Sequence, residues 1–498
     1  MQIRRIKSSF LSRQLERVGL LKAAPAPVRN YAGAARTELT ADFLTSSKTA
    51  DEVLRWQLPT LRARSRDLDR NNDYAKAFFR HLKINVVGPE GIRLQSKIKN
   101  GSGKPNVSAN KKVEDGWKRW GKKKNCTVTR QRSWLETQWQ IIHSWARDGE
   151  VFIRKVKGYD NEFRFALQFI MPDHIDTEFN MELQNGNVIK MGIEYDSWKA
   201  PVAYHVDVKS PSESSYFFNG KERIRIPADE MIHLFTQERE DQSRGVPWLH
   251  TAIIRLRNLG GYEEAALIAA RIGASKMGFY TSETGNQEYE GDDKDAQGNP
   301  ISEVEPGVFE KLPLGMDFKT FDPTYPHDQF GDFIKAALRG ASSGMGILYN
   351  NLANDLEGVN FSSIRSGTLS ERDMYRILQA AMGENVHDDI FPDVLEMSLL
   401  TQQIKLPVEQ IERFNFPKWQ FRGWDWVDPQ KDVNADIDAR DNRMTSLTRI
   451  LAKRGIDFDD LMDEIEYEEA EMARRGIEIK LISPPKEEGK TGEEEEET

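Results

Sequence analysis

Gly340-Ala341-Ser342-Ser343-Gly344 matches G-x-S-x-G, the pattern with which serine hydrolases hold a nucleophile on a strained turn between a strand and a helix. Here the preceding apolar residues Phe330, Phe333, Ile334, Ala337 and Leu338 recur at helical spacing, so a helix feeds the serine and the strained turn is missing. Small residues closing a tightly packed helix account for the same letters. Asp67, Asp69, Asn71 and Asp73 occupy alternating ligand positions of a calcium loop, but Asn72 stands where glycine is needed and Phe78 where a bidentate glutamate is needed. Lys104 follows Gly101-Ser102-Gly103, yet Ile98 replaces the first glycine of a phosphate-binding loop and Pro105 its hydroxyl residue. The eight histidines, His174, His205 and His233 among them, include no pair at the spacing that lets one helix hold a metal, and they read as structural. No catalytic residue, cofactor or metal site is expected.

One stretch could contact nucleic acid. Trp117-Lys118-Arg119-Trp120-Gly121-Lys122-Lys123-Lys124, continued by Arg130, Arg132 and Trp134, mixes positive charge with aromatic faces. Lys118, Arg119, Lys122, Lys123 and Lys124 are the candidate contacts, to nucleic acid or to a neighbouring subunit. The plainer and favoured reading is a helix whose tryptophans pack on a core while its lysines stay solvated.

The elements around these residues alternate in type. Tyr74, Ala77, Phe78 and Leu82 mark a helix over Asp73 to Val87 that runs into a strand-like Asn85-Val86-Val87 and a Gly88-Pro89 turn. A helix from Trp134 to Trp145 precedes strands at Glu150 to Val156, Phe163 to Met171, Val188 to Tyr195, Val202 to Val208 and Glu222 to Ile226, which makes the fold class α+β. After Gly245-Val246-Pro247, Leu249, Ala252, Ile253, Leu256 and Leu259 begin a helix that reaches about Ser275. Unbroken across Gly260-Gly261, its roughly 28 residues would span about 42 Å. Short strands (Gly278 to Thr281, Gly307 to Leu312, Asp317 to Phe321) around a polar loop at Glu283 to Pro300 separate it from the second helix, for which Asp328 is the expected cap. Phe458, Leu461, Met462 and Ile465 form one face of an acidic helix, and a charged tail ends in Glu493 to Glu497.

With 498 residues the chain can hold two or more domains, and 30% charged residues imply a large polar surface. Lys+Arg 70 against Asp+Glu 79 gives a net charge of -9, so attraction to nucleic-acid phosphate is not general and any DNA contact is local or weak. A single cysteine, Cys126, excludes an internal disulfide and a cysteine-rich zinc site and suits folding in a reducing cytoplasm. No run of 18 apolar residues exists, so no membrane span and no membrane partner are expected. Arg4, Arg5, Lys7, Arg13 and Arg17 against the single acid Glu16 give the N-terminus a superficial transit-peptide look, but a flexible basic arm fits better, and the Ala23 to Val28 stretch breaks any continuous helix.

Several segments, taken in order, resemble the portal proteins of lambda-type tailed bacteriophages: Arg64-Ser65-Arg66-Asp67-Leu68 with Arg70-Asn71-Asn72; Asn85-Val86-Val87-Gly88 through Leu94-Gln95; Asp148-Gly149-Glu150-Val151; Met231-Ile232-His233-Leu234-Phe235; Arg244-Gly245-Val246-Pro247; and Phe321-Asp322-Pro323. The resemblance spans about residues 60 to 475. It implies a dodecameric ring around a DNA channel, with a flexible basic arm at 1–60, a wing at 61–245, stem helices at 246–276 and 327–347, and a β-rich clip at 277–326. It further implies a tunnel loop and the remainder of the wing at 348–425, a helical crown at 426–480 and a disordered acidic tail at 481–498. Implied partners are the chain itself, the terminase large subunit, head-completion and tail-connector proteins, major capsid and scaffold proteins, and double-stranded DNA passing without sequence readout. The implied place is the capsid portal vertex of the virion, after assembly in the host cytoplasm.

A channel must release each phosphate as easily as it meets it, so it needs sparse positive charge. Asn350, Asn351, Asn354, Asp355, Glu357 and Asn360 in the tunnel-loop candidate suit that need, with no base before Arg365. A nucleic-acid-binding protein built on the Trp117 to Trp134 patch, and after it a serine hydrolase at Ser342, are the alternatives.

Overall fold

Thr49 opens the first helix, α1 (Ala50–Asn71), by a reciprocal cap: its hydroxyl accepts from the Glu52 amide, and the Glu52 carboxylate accepts from the Thr49 amide. Asn72 then breaks the helix in an extended conformation and restarts it, its side chain accepting from the Ala75 amide at the head of α2 (Asp73–Leu82). The calcium-like spacing of Asp67, Asp69, Asn71 and Asp73 therefore straddles a helix break rather than a loop. Asp69 is spent on His143, 2.9 Å away, and on Lys76.

In this computed structural model the described residues are 48–208, 222–274, 278–282, 293–294, 300–301, 316–320, 330–357, 360–424, 429–453 and 458–477. The basic arm up to residue 47, the acidic tail, Asp328 and the strand expected at Gly307 to Leu312 lie outside them.

Asn85-Val86-Val87 is a correction. These residues belong to a wide π-helical turn, Lys83–Val87, that extends α2 and ends at Gly88, where φ is 76°. Val86 and Val87 are fully buried, so the β-branched pair signalled depth in the core and not a strand. The chain continues through β1 (Arg93–Ser96), α3 (Val107–Trp120) and α4 (Trp134–Asp148), the last with a second reciprocal cap between Ser133 and Glu136. Gly149, with φ of 86°, ends α4 and turns directly into β2 (Glu150–Lys157).

β2 is the centre of a three-stranded antiparallel sheet, flanked by β3 (Phe165–Ile170) and, from further along the chain, β9 (Met231–Phe235). Between them runs a five-stranded meander of β4 (Met181–Glu182), β5 (Val188–Lys190), β6 (Ile193–Tyr195), β7 (Pro201–Asp207) and β8 (Arg223–Pro227). The single strand expected over Val188 to Tyr195 is in fact the β5–β6 hairpin: Met191 and Gly192 take φ of 45° and 82° and fold it back on itself.

The helix expected to start at Pro247 begins later. Two tight turns, closed by His250 on the Pro247 carbonyl and Ala252 on the Leu249 carbonyl, come first, and α5 runs over Ile253–Ala274. Its 22 residues make about 33 Å instead of 42 Å. A backbone pair of β10 (Gly278–Ser282) with β13 (Met316–Thr320), enclosing the small pair β11 (Asp293–Lys294) and β12 (Pro300–Ile301), leads to α6 (Phe330–Met345). α7 (Tyr349–Ala353), α8 (Phe361–Met382) and α9 (Asp388–Leu400) follow, and β14 (Pro417–Gln420) returns to pair with β1. The last helices are α10 (Pro429–Asp441), α11 (Leu447–Lys453) and α12 (Phe458–Arg475).

The main core lies where α2, α3, α4, α8 and α9 cover the three-stranded sheet. Its densest part is aromatic: the Trp117 ring centroid is 4.8 Å from Trp120, 5.7 Å from Trp134, 5.8 Å from Phe391 and 5.5 Å from Trp419. Cys126 is buried in the same core, where loss of solvation pushes its thiol up to about 12 and leaves it unreactive at neutral pH. Among the described residues no helix is long and apolar enough to cross a membrane.

Candidate functional site

α5 and α6 pack side by side, and the sequence explains how closely. Tyr262 of α5 stacks on Phe330 and tilts against Phe333 of α6, with centroids 5.5 and 4.8 Å apart. Further along, Leu256 and Leu259 face the side where Leu338, Ala341 and Met345 are buried. A Cβ on Gly344 would come within 2.5 Å of the Thr251 hydroxyl, and one on Gly340 would overlap the Arg255 guanidinium. The two glycines of the G-x-S-x-G match thus let one segment approach another. Ser342 sits inside α6, its hydroxyl donating 2.9 Å to the Arg339 carbonyl of the same helix. No strand feeds it.

On its outer face this pair exposes apolar side chains among the described residues, interspersed with the exposed Arg257, Asn258 and Glu264. Ile254 and Ile268 lie four helical turns apart on one face of α5, with Leu267 beside them, and Phe333 projects from α6; all four are about half exposed or more. The pair is tied to α2 by the Tyr74 hydroxyl, which donates 2.9 Å to Glu263 on α5 and is pushed up to about 12 by burial and by that carboxylate.

The segment after α6 is more structured than a loop. Asn350 and Asn351 are in α7, and Asn354 ends it in the left-handed region with φ of 52°. Four of the six candidate side chains hold the segment in shape. Asn350 donates to the Asp355 carbonyl, Asn351 donates to Glu371 on α8, and Asn360 caps α8 by accepting from the Ser362 amide. Asp355 accepts from the Tyr349 hydroxyl at 2.7 Å, a bond that holds its carboxyl below the ordinary value, and Lys335 of α6 stands 4.0 Å away. Asn354, Glu357 and Asn360 are the exposed members.

The basic and aromatic stretch divides by residue type. Trp117, Trp120 and Trp134 are buried in the aromatic cluster, and Lys118, Lys122, Lys123 and Lys124 are exposed. Arg119 donates to the Gln403 carbonyl, Lys124 pairs with Glu162, and Lys123 lies 3.0 Å from Glu136. None of these three tryptophans keeps a face for a base to stack on.

The reading of residues by motif did not find a charged cluster at the root of α5. Glu150, at the first position of β2, is fully buried against Arg62 of α1, Arg244, and His233 of β9. One carboxylate oxygen accepts from Arg62 and from Arg244 Nη2 at 2.7 Å; the other accepts from His233 Nε2 at 2.9 Å and the Gly245 amide at 3.0 Å. Arg244 spends its remaining donors on the carbonyls of Ile175, Met191 and Pro172. Burial alone would raise the Glu150 carboxyl, but Arg244 and Arg62, with the His233 hydrogen bond, hold it well below the usual carboxylate range. Gly245 presses on Gly149 so closely that a Cβ would overlap the Gly149 carbonyl. Asp148-Gly149-Glu150, Met231 to Phe235 and Arg244-Gly245 are separate stretches of sequence that meet here. The cluster fixes where α5 leaves the sheet, and His233 on its edge also lines an open pocket of about 480 Å³ with Asp51, Tyr195, Tyr204 and Ser243. Among the described residues no group of histidines, cysteines and carboxylates is placed to hold a metal.

Residues 36–379 match the model of a family described as "Phage portal protein, lambda family". A protein of Halomonas phage phiHAP-1 (isolate -/Gulf of Mexico/-/2001), described as "Probable portal protein", is 37% identical over 458 residues, 91% of this chain and 88% of its own. A chain in the virion of the native gene transfer agent (GTA) particle superposes over 80% of this chain and 93% of its own with a TM-score of 0.42 at 12% identity. Another, in the neck of the empty GTA particle, superposes over 80% and 94% with a TM-score of 0.43 at 13% identity. Both superpositions are too distant to carry an argument about this chain.

Proposed function

This chain belongs to the lambda family of phage portal proteins, and from that premise we propose that twelve copies form a ring at one capsid vertex, the channel through which DNA is packaged and ejected. The observation that carries the ring is the set of apolar side chains that α5 and α6 leave exposed among the described residues, Ile254, Leu267, Ile268 and Phe333. A soluble chain that leaves such side chains in water gains by burying them against a copy of itself, and a head-to-tail contact that closes makes a ring. In this reading 246–276 and 327–347 are the stem, 277–326 is the clip that docks the terminase large subunit and later the head-completion and tail-connector proteins, 61–245 is the wing and 426–480 the crown. Capsid and scaffold proteins surround the ring, which assembles in the host cytoplasm.

The segment 348–364 is the tunnel element. The exposed Asn354, Glu357 and Asn360 are the members that would meet passing DNA, and Asn350, Asn351 and Asp355, with the cap that Asn360 also makes, would keep the segment in shape. Polar and acidic side chains there suit transit, since the segment itself carries no cation before Arg365 and the neighbouring Lys335 faces Asp355. A role of the Trp117 to Trp134 patch as a base-stacking nucleic-acid site is disfavoured because its rings are used by the core, and Ser342 lacks the turn that would make it a nucleophile.

The test is the mass of the purified protein under assembly conditions. Twelve chains of 57.2 kDa give particles of about 690 kDa with a central hole in negative stain. A uniform monomer overturns the proposal.

A further inference from the structure

The most one-sided charge in the chain lies away from the helix pair. Between Lys97 and Lys124 stand ten lysines and arginines against two acids, whereas Asp459 to Glu471 carry eight carboxylates and no base. The fold brings the two together: Lys97 Nζ is 2.6 Å from Glu464, Lys104 Nζ 3.6 Å from Glu466 and Lys99 Nζ 3.8 Å from Asp463. An open groove of about 490 Å³ runs between α12 and the surface made by β1 and α3. On that surface it presents Lys97, Lys99, Lys111 and Lys118 against Glu114 and Asp115, an excess of two positive charges, and Asp463 and Glu464 of α12 cancel the excess. Glu114 is also committed elsewhere, accepting from the Ser96 amide at 2.9 Å.

The helix is a weak cover. Its three ion pairs are largely exposed, so each contributes at most about 1 kcal/mol and is screened by salt. Met462 and Ile465, on its apolar face, remain exposed. From Asp463 to Glu469 five carboxylates over seven residues amount to about one charge per 2.1 Å, near the roughly 1.7 Å of duplex DNA, while Glu471 is paired with Arg474 and Arg475 of the same helix.

We propose that the groove lined by Lys97, Lys99, Lys111 and Lys118 is a binding site for the phosphate backbone of duplex DNA, and that α12 is an anionic cover which DNA displaces. Contact through phosphates alone carries no sequence preference. The inference does not depend on the ring, because groove and cover belong to one chain.

The full-length chain carrying Asp463→Asn, Glu464→Gln and Glu466→Gln is titrated with short labelled duplexes of two unrelated sequences, and fluorescence anisotropy is read. The variant is expected to bind both duplexes at least about tenfold more tightly than the wild type, with a strong salt dependence. Adding Lys97→Gln, Lys99→Gln, Lys111→Gln and Lys118→Gln removes the gain. Glu468→Gln with Glu469→Gln, which lowers the charge of the same helix away from the groove, changes affinity less than about twofold. In the wild type, DNA raises amide hydrogen exchange across 458–475. Unchanged affinity in the first variant, a gain that survives loss of the lysines, or exchange that ignores DNA overturns the proposal. So does a change of oligomeric mass with no gain in DNA affinity, which would assign the helix to a second copy of the chain. Particle mass is recorded on every sample, so loss of the ring is read separately from loss of the groove.

Discussion

Replacing Glu150 by Gln keeps the shape of the side chain and removes its charge. Every neighbour of the carboxylate is a donor: Arg62 and Arg244 on one oxygen, and Arg244, His233 and the Gly245 amide on the other. Whichever way the new amide is turned, its NH₂ faces N–H groups, and two buried guanidiniums are left without a counter-charge. Removing one partner of a buried pair costs about 3–5 kcal/mol, a large share of the roughly 5–15 kcal/mol that holds a domain folded. In urea unfolding followed by tryptophan fluorescence at pH 7, the midpoint should fall by about 1–2 M, with the slope of about 3 kcal/mol per molar that suits a large chain. The pH dependence has a definite sign. The folded carboxyl titrates below its unfolded value, so its contribution is complete above about pH 5 and fades as the pH falls below the unfolded value near about 4.3. The gap between wild type and variant should hold from pH 7 to about 5 and narrow below about 4. A gap under about 1 kcal/mol at pH 7, or one as wide at pH 3 as at pH 7, would refute this account.

Three further outcomes follow from other parts of the structure. Gly245→Ala should cost about 3 kcal/mol or more in thermal or urea unfolding because its Cβ meets backbone, whereas Gly340→Ala meets only the movable end of Arg255 and should cost about 1 kcal/mol or less; equal losses would contradict the packing described. His387, fully buried beside Trp134 and Trp419 and held by burial at about 4, refuses the proton that the unfolded chain accepts below about pH 6.5. Stability should therefore decline by about 3 kcal/mol through this group between pH 6.5 and 4, and His387→Phe should flatten that slope in pH-dependent unfolding. Ile254→Glu with Ile268→Glu should shift the particle mass from ring toward monomer while leaving circular dichroism unchanged, since both side chains already face water in the single chain.

Local signals were legible wherever a helix or strand satisfies itself. Ser133 with Glu136, and Gly149 between α4 and β2, mark boundaries that the pattern of residues also marked. Errors fell where a neighbour decides: Val86 and Val87 look like strand residues because β-branched side chains favour burial, and only the surrounding helices make their turn a wide helical one. Met191-Gly192 hides a hairpin inside an apolar run, since nothing but positive φ distinguishes it.

Sequence by itself determined the family, through motif order, and weakened the calcium and phosphate-loop readings, because each needs a residue at a fixed offset that is missing, and the hydrolase reading, because a helix and not a strand leads into Ser342. It also supplied the charge asymmetry between Lys97 to Lys124 and Asp459 to Glu471. Tertiary structure decided what those residues do. It converted the glycines of the hydrolase-like motif into a helix crossing, and four of six candidate channel residues into ties that hold their own segment. It gathered Arg62, Glu150, His233 and Arg244 from four separate stretches into one buried cluster. The reason is range: caps, turns and helix faces are set by residues within about four positions of each other, whereas a buried charge is stable only beside partners that the fold alone brings near.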